Sequence, residues 1–140
     1  WRDSVEAMPP AYDLARAVAI DSPPGSTLRF AIDPQTLTIT ADGVVRYVII
    51  ARHSSGTLNV AYEGIRCSTG GHRTYARHDP TRGWLRVEDS NWTSLQGHAS
   101  NRHALVFARS GGCEGRTAPS RVDSIVRALR QPARTGGDGL

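Results

Sequence analysis

The stretch TITADGVVRYVII, Thr38 to Ile50, confines the fold more than any other part of the chain. An Asp-Gly pair between two runs rich in β-branched residues is the signature of a two-residue hairpin turn, because glycine supplies the positive φ such a turn needs. Two antiparallel strands are therefore expected to meet at Asp42 and Gly43. Alternation with a period of two starts earlier, at Leu28, Phe30 and Ile32, breaks at the turn residues Asp33 and Pro34, and resumes at Leu37 and Ile39. The next strand runs from Val44 to Arg52, turns at Ser54, Ser55, Gly56 and Thr57, and returns from Leu58 to Cys67. Gly70 and Gly71 then reverse it into His72 to His78. The expectation is an antiparallel meander.

Helical spacing is clearest near the end. Val122, Ile125, Val126 and Leu129 recur at steps of three and four behind Pro119, with Arg121, Arg127 and Arg130 on the other side. Packing that helix on the meander makes the fold α+β, and each buried apolar side chain would contribute about 1.5–3 kcal/mol. Residues 1–25 hold the proline pairs Pro9–Pro10 and Pro23–Pro24 and read as mostly irregular. His103 to Arg109 fits either a strand or a helical turn or two, and the polar stretch between Trp84 and Trp92 reads as loop with at most a short strand. Residues 1–131 are expected to form one domain and 132–140 a flexible tail.

The turns also imply a register, and the register assigns faces. With Asp42 and Gly43 as the whole loop, Ile39 sits opposite Arg46 and Leu37 opposite Val48. A loop at 54–57 puts Arg46 opposite Ile65 and Tyr47 opposite Gly64, and a loop at 68–71 puts Cys67 opposite His72. Leu37, Ile39, Val48, Ile50, Ala61, Ile65, Cys67 and Ala76 then share the face under the helix, with Arg46 and Glu63 pairing at its rim. The other face collects Tyr47, Tyr62, Tyr75, Arg66, Arg73 and Arg77. Aromatic rings and guanidinium groups on one sheet surface suit sugars, bases or anionic groups, so these six residues form the candidate binding face. They are also ordinary occupants of a half-exposed sheet, where Tyr47 and Tyr75 would simply shield the strand at Gly64.

All 17 cationic side chains are arginine, so no lysine is present to form a Schiff base. The formal charge of +4 favours anionic partners, and charge is all that supports nucleic acid as one. Cys67 and Cys113 are the only cysteines. An even count in a small domain suggests one disulfide and an oxidising compartment, the alternatives being a reduced buried pair or a thiol enzyme in which Arg66 lowers the Cys67 pKa and His72 is the base. Cysteine-based metal binding is not expected, and no cofactor is implied. His72 and His78 would share a sheet face and hold a metal only if a carboxylate joined them. There is no GxSxG, no phosphate-cradling glycine loop, no HExxH and no EF-hand pattern. No run reaches the length of a membrane helix, and the start at Trp1 suggests a secretion signal removed upstream.

From Phe30 to Ala76 the chain resembles the cryptic neisserial protein family of proteobacterial envelope proteins. The phrases DGVVRY, Asp42 to Tyr47, and YEGIRC, Tyr62 to Cys67, carry most of the likeness, and Cys113 with the following helix is similar to the family's second cysteine and C-terminal segment. The resemblance implies an exported protein, periplasmic or outer-membrane-associated, and implies no reaction and no ligand. Two functions compete: a non-enzymatic domain that binds an envelope protein or an anionic cell-surface molecule, and a hydrolase or thiol enzyme using Cys67 and His72.

Overall fold

The computed structural model describes residues 8–131. The expected tail at 132–140 and the start of the irregular N-terminal segment lie outside them. Eight strands among the described residues form one open antiparallel sheet. They are β1 (Val18–Ile20), β2 (Arg29–Ile32), β3 (Thr38–Ile39), β4 (Val44–Arg52), β5 (Leu58–Arg66), β6 (Gly71–Asp79), β7 (Gly83–Arg86) and β8 (Thr93–Ser94). Their order is β1-β2-β4-β5-β6-β7, with β3 also on β4 and β8 also on β6. Helix α1 (Arg102–Phe107) runs into a wide turn at Ala108–Gly112, and α2 (Val122–Leu129) follows. The fold is the α+β arrangement expected, and His103 to Arg109 takes the helical alternative.

β2 and β3 line up along β4 as one strand with an interruption at Asp33 to Leu37. Pro34 opens a single helical turn there, and the backbone it diverts is satisfied by side chains. Buried Asp33 accepts the Asp13 N–H at 2.8 Å, the Gln35 N–H at 3.1 Å and the Arg16 guanidinium at 2.7 Å. The Thr36 hydroxyl donates to the Asp33 carbonyl at 2.6 Å and accepts the Val48 N–H at 2.9 Å. Arg16 thereby pins the N-terminal segment to the sheet.

The register differs from the expected one in a systematic way. Ile39 pairs with Val45, and Thr40 closes the loop with Val44, so Ala41 joins Asp42 and Gly43 in the connection. Gly43, at φ +80°, occupies the left-handed position of this longer loop. On the other side of β4, Arg52 pairs with Leu58 and His53 joins the loop. Each loop is one residue longer than expected, and the two shifts cancel across β4. β3 and β5 therefore keep their assigned faces, whereas β4 alone is turned over.

Val45, Tyr47 and Ile49 consequently point to the helix side, where they pack with Ile32, Leu37, Ile65, Phe107, Ile125 and Leu129. Arg46, expected beside Glu63, lies on the opposite face with its guanidinium 4.9 Å from the centre of the Tyr75 ring. A bulge in the β5–β6 pairing makes a second correction: Glu63 pairs with Thr74 but Tyr62 with Ala76, leaving Tyr75 as the extra residue. Ala76 moves to the second face and Arg77 to the helix side. That second face is covered too, since Val48, Ile50, Val60, Tyr62 and Tyr75 pack against Tyr12, Ala17 and Trp84. Burial on both sides explains why β4 reads as a nearly continuous apolar run.

Candidate functional site

Glu63, in the middle of β5, is a charged residue on the apolar helix side, and only 4% of it is exposed. A buried carboxylate must find donors. Three converge on it, each from a different element. Tyr47 of β4, its direct partner across the strands, donates to Oε1 at 3.0 Å. His72 of β6 places Nε2 2.9 Å from the same oxygen. His103 of α1 places its Nε2 2.9 Å from Oε1 and 3.1 Å from Oε2. The two imidazoles stand nearly perpendicular, with ring centres 5.7 Å apart.

The position of His103 is set by tertiary contacts. The side-chain amide of buried Asn101 donates to the Thr93 hydroxyl at 2.8 Å and the Ser94 carbonyl at 2.7 Å, tying the start of α1 to β8. β8 pairs with β6 at His72, so the helix begins beside the other histidine. The His103 ring then stacks on Phe30, with centres 5.2 Å apart and planes 10° from parallel.

The electrostatics of the cluster are consistent with these contacts. Burial alone would raise the Glu63 pKa, but the charge and hydrogen bond of His103 and the hydrogen bond of His72 hold it well below the usual carboxylate range. Burial works against a proton on His103, yet the charge and hydrogen bond of Glu63 outweigh it and raise the imidazole above its ordinary value. Burial, together with the neighbouring Glu63 charge, pushes the Tyr47 phenol well up, so it remains a donor.

Glu63 and His103 also form part of the wall of an open groove of about 670 Å³. Its apolar lining includes Leu28, Phe30, Ile49, Ala61 and Leu85, and Arg77 and Arg102 are exposed along it.

The candidate binding face does not stay together. Tyr62, Arg66, Arg73 and Tyr75 share the second face, where Tyr62 and Tyr75 are buried with ring centres 5.4 Å apart. Arg73 lies 5.5 Å from the Tyr75 ring and 5.5 Å from the Trp92 ring. Tyr47 is fully buried on the helix side because β4 is turned over, and the bulge carries Arg77 to the groove. Gly64 is where a tyrosine does shield the strand, since a Cβ there would lie 2.6 Å from the Tyr75 hydroxyl. Cys67 and Cys113 are joined in a disulfide, so Cys67 has no thiol for His72 to activate. His72 and His78 fall on opposite faces, and His78 instead meets the Tyr12 hydroxyl at 3.2 Å.

The Glu63, His72 and His103 constellation escaped the sequence reading. Two signals were available: Glu63 on the core face, an acid that demands partners on neighbouring elements, and His72, a histidine that already lacked only a carboxylate to hold a metal.

Among proteins of known role, no curated sequence matches the chain, and no solved structure matches its fold. A family model does match, covering residues 1–130. With the two-cysteine meander and its C-terminal helix in place, the chain belongs to the CNP1-like family.

Proposed function

We propose that the chain is a non-enzymatic binding domain of the bacterial periplasm whose groove takes a small amphiphile with an anionic head group. Its disulfide fits an oxidising compartment, and no helix among the described residues is long and apolar enough to cross a membrane. With Cys67 cross-linked, the thiol-enzyme alternative lacks its nucleophile.

The observation that carries the reading is the groove itself: an apolar floor beside the exposed guanidinium groups of Arg77 and Arg102. Apolar lining favours a hydrocarbon body, and guanidinium groups favour a carboxylate or phosphate over a cationic head. Of the six residues of the expected binding face, Arg77 is the one this reading keeps.

Calorimetric titration with dodecanoate and with dodecyltrimethylammonium tests it. The carboxylate should bind at least roughly tenfold more tightly, and Arg77→Ala with Arg102→Ala should remove that preference. Ser100→Trp, at an exposed position of the lining, should block both probes. Equal affinity for the two head groups, or binding indifferent to Ser100→Trp, would refute the proposal.

A further inference from the structure

The oxygen Oε1 of Glu63 is crowded: the Tyr47 hydroxyl, His72 Nε2 and His103 Nε2 all lie within 3.0 Å of it. A carboxylate oxygen offers two lone pairs, so three full hydrogen bonds to one of them exceed what it can accept well. Both histidines, moreover, aim the same ring atom at the same point from separate elements. A single cation seated between that oxygen and the two ring nitrogens would take all three as ligands and would leave Oε1 only the Tyr47 proton to accept.

We propose that Glu63, His72 and His103 form a binding site for one divalent first-row transition ion. Two imidazoles and a carboxylate are nitrogen and oxygen donors of the kind Zn²⁺ takes. Bonds of about 2.0–2.2 Å at tetrahedral angles set neighbouring ligand atoms about 3.3 Å apart. Both nitrogens stand 2.9 Å from Oε1, a few tenths of an ångström short of that value, and all three ligand atoms lie within 4.8 Å of one another. What adjustment remains falls to His103, whose side chain is 15% exposed against 5% for His72. Tyr47 would orient the carboxylate from behind. Since Glu63 and His103 also line the groove, the ion's free coordination positions would open toward it. The site does not rest on the amphiphile reading, and either can fail without the other.

The test uses disulfide-intact protein stripped with a chelator, titrated with Zn²⁺ by calorimetry and with Co²⁺ by visible absorption. One equivalent should bind with a Kd of about 1 μM or below, and His103→Ala should weaken it more than about 100-fold. A second readout needs no variant: long-range ¹⁵N spectra of the wild-type protein should show the ring nitrogens of His72 and His103 shifting together as Zn²⁺ is added. Uptake that survives His103→Ala, or that leaves those resonances unmoved, would put the metal on other histidines and overturn the proposal. No uptake below about 1 mM would overturn it as well, leaving a hydrogen-bonded cluster.

Discussion

Removing the Cys67–Cys113 disulfide should cost about 4 kcal/mol of folding stability. The cross-link closes a loop whose ends are 46 residues apart, and it joins the end of β5 to the segment that follows α1. For that loop the chain-entropy relation gives about 13.5 cal/mol/K of conformational freedom withheld from the unfolded chain, hence about 4 kcal/mol at 25 °C. Cys67 is buried against the main core, so a Cys67→Ala, Cys113→Ala variant should lose roughly 1 kcal/mol more through lost packing. Reduction of the wild-type protein removes the link without removing sulfur, and so isolates the entropic part. Urea unfolding with and without reductant should show the loss as a lower midpoint and a steeper slope, since the freed chain exposes more surface. The melting temperature should fall by roughly 12–16 °C. A stability difference below about 1 kcal/mol with unchanged slope would mean that contacts within the unfolded chain already restrain this loop, and the entropic argument would be wrong. The same measurement bears on the site, because the link holds down the segment that carries His103.

Gly64→Ala should destabilise the fold by about 1–3 kcal/mol, because the new methyl group meets the buried Tyr75 ring and hydroxyl; denaturant midpoints measure it, and a change under about 0.5 kcal/mol would show that Tyr75 swings aside freely. Asp33 and Glu63 both have carboxyl pKa values held below the unfolded ones, Asp33 by Arg16 and two backbone N–H groups against the pull of burial. Their contribution is therefore complete above the unfolded pKa of about 4 and is lost as pH falls further, so metal-free protein should unfold more readily below about pH 4. Asp33→Asn should flatten that acid limb, and an unchanged limb would show that Asp33 is not among its causes. His103 carries the opposite sign: its raised pKa stabilises fully below the unfolded value of about 6.5, and that part should fade as pH rises above it, a trend that His103→Gln should abolish.

Much of the architecture was legible in local chemistry. Alternation from Leu28 onward, the glycines at the turns and the three-and-four spacing from Val122 identified the meander and its final helix, because those signals depend on residues close in the chain. Loop length was less legible. Gly43 and Gly56 mark turns, but positive φ at one glycine is compatible with loops that differ by a residue, and one residue reverses a strand's faces. The bulge at Tyr75 left no local mark, since it depends on Gly64 across the strand leaving room for the ring. Those uncertainties in loop and bulge dispersed the expected tyrosine and arginine face.

By itself the sequence determined that the chain would be a cross-linkable antiparallel meander with a helix laid on it, since turn chemistry, periodicity and an even cysteine count are properties of neighbouring residues and composition. Tertiary structure decided which side of β4 faces the helix, and that choice placed Tyr47 beside Glu63. It also decided that the 102–107 segment is a helix clamped to β8 by Asn101, and so that His103 meets His72 across the carboxylate. Side chains from β4, β6 and α1 come within hydrogen-bonding reach of one oxygen on β5 only after loop lengths, a bulge and a helix dock have all been settled, and none of those is encoded at the residues that meet.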